Sequence, residues 1–256
     1  TEAATGADII ITGEATFSLF GYSLVSGDWN ADGKTDLAVG AHGYSISTGR
    51  VYIFYNGSII TENASGADII IQGESSSNSF GSKLISGDFN GDGKIDLAVG
   101  ANQYSTNTGR VYVFYNDGSI PTTAATADLI LQGEATGNYY GAALAAGDFN
   151  SDGKTDLVVG AYGYGGNKGR VYLYTFNDGV ITGETTSDYF GCALISGDFN
   201  ADGYIDLAVG ASGYSTSAGR TYIFWGDNLS YPSGAASADV IIQGEAASDY
   251  FGSAMT

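Results

Sequence analysis

Four scarcities bound what this 256-residue chain can do. Cys192 is its only cysteine, so no disulfide can form within the chain. His42 is its only histidine, and it falls where Asn102, Tyr162 and Ser212 stand elsewhere in the sequence, which leaves neither a Ser-His-Asp triad nor a histidine-based metal site to build. Lysine and arginine number 9 against 28 aspartates and glutamates, and a formal charge of -19 excludes nucleic acid as an electrostatically held partner. No apolar run approaches the roughly 18 residues of a membrane span, and no basic stretch followed by an apolar one opens the chain. Starting at Thr1 rather than Met, the sequence reads as a mature or excised portion.

Glycine and tyrosine are plentiful instead, at 40 and 19 against two prolines, which points to many short strands and tight turns with few helices. The most informative stretch is Asp28-Trp-Asn30-Ala-Asp32-Gly33-Lys34-Thr-Asp36. It recurs as Asp88-Phe-Asn90-Gly-Asp92-Gly93-Lys94-Ile-Asp96, Asp148-Phe-Asn150-Ser-Asp152-Gly153-Lys154-Thr-Asp156 and Asp198-Phe-Asn200-Ala-Asp202-Gly203-Tyr204-Ile-Asp206. Side-chain oxygens at positions 1, 3, 5 and 9, with the carbonyl of Lys34, Lys94, Lys154 or Tyr204 at position 7, suit a hard cation taking roughly 6 to 8 oxygens, which means Ca2+ at four sites. The glycine at position 6 supplies the sharp turn between them. The opening matches an EF-hand loop, but that loop closes with a glutamate at position 12 between helices, whereas here an aspartate closes at position 9 between strands. A solvated acidic turn draws on the same residues. Twelve carboxylates in four clusters, however, repel one another unless cations neutralise them.

The first aspartates of the four copies are separated by 60, 60 and 50 residues, and the surrounding sequence recurs with them. Each unit holds four strand-like segments. The first, Tyr22-Ser-Leu-Val-Ser-Gly27 and its copies, is rich in small residues. The second, Leu37-Ala-Val-Gly-Ala41, is continuously apolar; the third, Val51-Tyr-Ile-Phe-Tyr55, is aromatic and β-branched. The fourth, 8–14, recurs at 68–74, 128–134, 178–184 and 239–245, five copies against four of the others. Small-to-large grading from first to third strand is what radial packing requires, so the fold class is all-β, a β-propeller of about 60-residue, four-stranded blades with four full blades plus a partial repeat at each end. The ten residues missing after Tyr174 remove a loop and spare the strand.

Phe20-Gly21, Phe80-Gly81, Tyr140-Gly141, Phe190-Gly191 and Phe251-Gly252, with Gly-Ala at 40/41, 100/101, 160/161 and 210/211, resemble the FG-GAP repeats of integrin α-subunit propellers. The resemblance implies that the acidic loop joins the first and second strands of a blade, and that its five liganding positions hold calcium. The proline of the Gly-Ala-Pro signature is absent, since His42, Asn102, Tyr162 and Ser212 follow. Integrin-like propellers have seven blades. This sequence is expected to form one propeller domain or segment over 1–256, with blades at about 20–74, 80–134, 140–184 and 190–245, an orphan outer strand at 8–14 and the start of a further blade at 250–256. An excerpt of a longer array, a closed four-bladed ring, and head-to-tail strand exchange with a second copy all remain open.

Arg50, Arg110, Arg170 and Arg220 open the third strands, either as a ligand-binding ring or as bridges to acids such as Asp36 or Glu74 and their repeats. The loops beginning at Tyr44, Tyr104, Tyr164 and Tyr214 suit sugar stacking or an adhesive surface, so a protein or glycan ligand is the expected partner, and a lectin-like propeller is the alternative reading. Asn56, Asn63 and Asn228 open glycosylation sequons. The composite expectation is a non-catalytic, calcium-binding adhesion, binding or assembly module, extracellular or at the cell surface, where calcium is abundant.

Overall fold

A run such as Leu37-Ala-Val-Gly-Ala41 carries no polar side chain and is stable as a strand only with both faces covered. The computed structural model, which describes residues 9–57, 63–174, 178–226 and 231–255, supplies that cover by stacking four sheets. The first contains β1 (Ser23–Gly27), β2 (Asp36–Ala41), β3 (Arg50–Phe54) and β4 (Ile69–Gln72). The second contains β5 (Lys83–Gly87), β6 (Asp96–Ala101), β7 (Arg110–Phe114) and β8 (Leu129–Gln132). The third contains β9 (Ala143–Gly147), β10 (Asp156–Ala161), β11 (Arg170–Tyr174) and β12 (Gly179–Thr182). The fourth contains β13 (Phe190–Gly197), β14 (Asp206–Ala211), β15 (Arg220–Phe224) and β16 (Val240–Gln243). Every sheet is an antiparallel meander with its strands in chain order, a propeller blade.

Register decides which side chains meet. In the first blade Ala38 lies opposite Val25 and Ile53, so these residues share one face. That face, with Val51 and Ile71, packs on Leu97, Val99, Tyr112 and Phe114 of the second blade. The same arrangement joins second to third and third to fourth blades. The core is therefore a series of layers between sheets, with the small-residue strands packing β1 on β5, β5 on β9 and β9 on β13. Each buried Val, Ile or Phe in these layers contributes about 1.5–3 kcal/mol relative to exposure.

The paired glycines of the repeat have a packing reason. A side chain on Gly40 would overlap the carbonyl of Gly81 in the next blade, and Gly100, Gly160 and Gly210 meet Gly141, Gly191 and Gly252 in the same way. Ser23 donates to the Gly81 carbonyl at 2.7 Å, which fixes the close approach. Beside the first three pairs the aromatic ring stands edge-on to the third-strand tyrosine of the next blade, Phe80 to Tyr112 at 5.4 Å and Phe190 to Tyr222 at 5.3 Å.

Three features differ from the sequence reading. Of the strand expected at 8–14, Asp8 lies outside the described residues; the rest makes one parallel bridge, Thr12 to Asn63, because among the described residues no third strand lies beside it. The segments Tyr44–Ser47, Tyr104–Asn107, Tyr164–Asn167 and Tyr214–Ser217 are left-handed turns rather than open loops, with φ of 49° at Ser45 and 56° at Ile46. Non-glycine residues adopt that conformation at a cost. Ser77 N–H donates to the Ile46 carbonyl, and Asn78 and Ser79 N–H donate to that of Ser47, which holds the turn. The third difference is β13, which begins at Phe190 and is bulged between Phe190 and Leu194. In the third blade β12 pairs along β11 from Arg170 with Thr182 to Leu173 with Gly179, so the shortened connection leaves the strand intact. Residues 175–177 of that connection, Ser58 of the Asn56 sequon and Asn228 lie outside the described residues.

Candidate metal centre

Each acidic loop joins the first strand of a blade to the second, and backbone geometry brings its side chains inward. Gly33 has φ +81°, and Gly93, Gly153 and Gly203 lie at +84°, +86° and +92°. Nothing lies within 4 Å of where a Cβ would sit at these four positions, so glycine is required for its torsion and not for space. In the 28–36 loop, Asp28 Oδ1 accepts from Asp32 N–H at 3.1 Å and Oδ2 from Gly33 N–H at 2.9 Å. Asn30 Oδ1 accepts from Asp32 N–H, and Asp32 Oδ1 from Lys34 N–H. Asp88, Asn90 and Asp92 repeat all four bonds, as do Asp148, Asn150 and Asp152, and Asp198, Asn200 and Asp202.

The ninth position behaves differently. Asp36, Asp96, Asp156 and Asp206 are at most 6% exposed, while the fifth-position aspartates are exposed. Asp36 Oδ2 accepts from Trp29 N–H at 2.9 Å and Oδ1 from Asn56 N–H at 2.8 Å. Asp96 is held in the same way by Phe89 and Asn116, and Asp206 by Phe199 and Gly226. This carboxylate thus ties the loop to the residue that follows the third strand. Burial pushes the Asp156 carboxyl up to about 6, and the neighbouring charges of Asp152 and Asp148 push the same way. Burial also raises Asp96, opposed by the hydrogen bonds it accepts.

Among the described residues no three carboxylates close into a cluster around one point. Their oxygens are turned onto backbone N–H groups, yet each carboxylate offers about four lone-pair sites, so capacity remains. In the 148–156 loop the Asn150 amide nitrogen stands between two acids, 3.1 Å from Asp152 Oδ2 and 3.5 Å from Asp156 Oδ1. Asn200 Nδ2 lies 2.8 Å from Asp202 Oδ2. A partial positive charge thus sits where the acids converge, and turning the amide would free that point for a cation. The donors are all oxygen, the set a hard divalent ion selects, and the residues fit calcium. Lys34 Nζ at 3.8 Å and Lys94 Nζ at 3.9 Å from the fifth-position aspartates are too distant and exposed to neutralise the loops.

The opposite end of each blade is already neutralised. Arg50, Arg110, Arg170 and Arg220 pair with Glu14, Glu74, Glu134 and Glu184, each 36 residues earlier, Arg110 Nη1 to Glu74 at 3.1 Å and Arg220 Nη1 to Glu184 at 2.8 Å. Each guanidinium lies 3.5–3.9 Å from the ring centroid of Tyr44, Tyr104, Tyr164 or Tyr214. Tyr172 and Tyr222 hydroxyls donate to the same glutamates, and burial first, then this bond, raises both phenols. The arginines are therefore inter-blade bridges, and one face of each loop tyrosine is taken. The sequence reading missed that cation–π pairing. A tyrosine six residues before every arginine was its available signal.

Residues 20–54, 80–114, 140–174 and 190–224 match the FG-GAP repeat. The chain is 34% identical over 180 residues to phosphatidylinositol-glycan-specific phospholipase D of Bos taurus, covering 64% of this chain and 21% of that protein. It is 37% identical over 169 residues to integrin alpha-PS2 of Drosophila melanogaster, covering 59% of this chain and 12% of that one. Integrin alpha-5 of Xenopus laevis is 32% identical over 166 residues, covering 59% and 15%. The matched stretches thus make up about a fifth or less of those proteins. With the repeat matched over more than half of its length and the paired glycines in contact between every pair of blades, the chain belongs to the FG-GAP repeat family.

Proposed function

We propose that this chain is a calcium-binding, non-catalytic propeller segment serving extracellular adhesion, ligand binding or structural assembly. The observation that carries the reading is the fourfold recurrence of one donor arrangement, an exposed acid at position 5 and a half-buried or exposed one at position 1 over a buried acid at position 9. Asp28, Asn30, Asp32, Asp36 and the Lys34 carbonyl, with their three sets of repeats, would hold the ions, which supply positive charge to loops that otherwise repel themselves. Likeness to integrin alpha chains supports the adhesive role, with a protein ligand as partner. Calorimetric titration of chelated protein tests the reading: four calcium ions per chain are expected, and a flat heat trace overturns it.

Self-association through the open ends extends this proposal. Glu245 is the fifth member of the glutamate series, and among the described residues no arginine faces it. On the same last sheet Ile242 is 43% exposed and Phe251 40%, whereas their counterparts Ile71 and Phe80 are covered by the next blade. An Arg-x-Tyr strand from a second copy, beginning at Arg50 and released from its own Glu14, fits that edge. Light scattering gives the mass: concentration-dependent growth abolished by Glu245→Lys supports exchange, and a monomer at every concentration overturns it. A scaffold beside a catalytic domain is the second reading, favoured by the likeness to the phospholipase.

A further inference from the structure

We propose that the 88–96 and 148–156 loops load calcium as a coupled pair joined through Thr155, while the 198–206 loop loads independently. The inference rests on the calcium reading above. Thr155 N–H donates to the Asp88 carbonyl at 2.9 Å, and Asp88 N–H donates back to Thr155 Oγ1 at 3.1 Å. Asp88 is the first residue of one loop, and Thr155 lies between positions 7 and 9 of the other, so a reciprocal pair of bonds ties a ligand residue of one site to the ligand-bearing turn of the next. Lys154 adds to the joint. Its aliphatic stem lies over Gly91, where a Cβ would come within 2.7 Å of Cε. Gly91 in turn donates to Asp88 Oδ1 at 2.8 Å, a bond that the other three loops lack.

The sister positions show that this joint is local. Ile95 and Ile205 replace Thr155 with side chains that carry no hydroxyl and lie against Gly27 and Gly147, while Thr35 has, among the described residues, no earlier acidic loop beside it. The 28–36 loop is linked at one remove: Asn116, whose N–H holds Asp96, donates Nδ2–H to the Trp29 carbonyl at 2.9 Å, but neither Asn116 nor Trp29 is a proposed ligand. The corresponding residue beside the 198–206 loop is Gly226, which has no side chain to reach back; Tyr231 links that loop to the third at one remove, its ring 6.2 Å from that of Phe149 and its hydroxyl donating to the Ile205 carbonyl at 3.5 Å, but neither Phe149 nor Ile205 is a proposed ligand. Ordering one loop around an ion fixes Asp88, and a fixed Asp88 holds Thr155 and hence positions 7 and 9 of the next loop in place. The second ion then meets a site that needs less ordering, which is positive coupling without any change of fold.

Charge acts with the opposite sign. Disabling the 88–96 loop by Asp92→Asn leaves it more negative than when it holds its ion, so electrostatics alone would tighten binding next door. The joint predicts weakening. Calcium isotherms of the full chain therefore separate the two. Asp92→Asn should remove one site and weaken one other by at least about fivefold, the lower end of ordinary coupling. In a Thr155→Ile background, with circular dichroism confirming the fold, Asp92→Asn should remove one site and weaken none of the other three. Asp202→Asn should likewise remove one site and weaken none of the other three. Weakening of no remaining site, or equal weakening of all three, overturns the coupling. A wild-type chain that binds no calcium overturns the calcium reading as well, and the flat wild-type trace distinguishes that outcome.

Discussion

The two ends of a blade solve the same electrostatic problem in opposite ways. At the end carrying the left-handed turns, each glutamate but Glu245 has an arginine from the next blade and each arginine a tyrosine ring, so charge is balanced there by the chain itself. At the end carrying the acidic loops, three aspartates per loop face at most one distant lysine. The first end is complete as folded; the second is held by backbone N–H groups that stand in only partly for a positive charge. Stability at one end should therefore ignore calcium, and at the other depend on it.

The largest expected effect is at the acidic end. At a hundredfold excess over its dissociation constant one bound ion stabilises by about 2.7 kcal/mol. Four such sites make chelation lower the melting temperature by roughly 20–40 °C, taking about 2–4 °C per kcal/mol for a chain of this size. Asp206→Ala should come next, destabilising by about 3 kcal/mol even in chelator, because it strands the N–H groups of Phe199 and Gly226. Denaturant unfolding checks this. Arg110→Ala should lower stability by about 1–3 kcal/mol with and without calcium alike, since it leaves Glu74 unpaired; a calcium-dependent effect would break the contrast between the ends. Tyr104→Ala, which removes only the ring beneath Arg110, should cost about 1 kcal/mol.

Proton binding sharpens the contrast. Asp156 titrates near 6 in the folded chelated protein, above the unfolded value of about 3.9, so the folded state holds more protons in that window. Chelated protein should lose stability as pH rises from about 4 to 6. With calcium bound the slope should reverse, because ion and proton compete for the same oxygens. Melting curves across that range, with and without chelator, check both signs.

Much of this was legible in the sequence because the repeat supplies its own comparison. The four strands follow from apolar pattern, with boundaries shifted by a residue or so: β2 begins at Asp36 and β3 at Arg50, where polar side chains still extend the ladder. The Arg110 bridge to Glu74 was foreseen, since a chain so short of cations leaves few other roles for them. The left-handed turns were not, because Ser45, Ile46 and Ser47 give no local signal for positive φ; bonds from the next loop impose it. Nor was the double role of Asp36 and its copies, which are read from sequence as ligands and act in the fold as buried hydrogen-bond hubs. Thr155 escaped notice for a related reason. Its partner lies 67 residues away, and the only hint was a threonine where two sister loops carry isoleucine.

The most direct measurement compares wild type with a chain carrying Asp32→Asn, Asp92→Asn, Asp152→Asn and Asp202→Asn together, each melted with calcium and with chelator. Calcium should raise the wild-type midpoint steeply and leave that of the variant where chelator puts it. Equal calcium responses in the two chains, or none in either, would contradict the claim that the acidic ends of the blades depend on the ion.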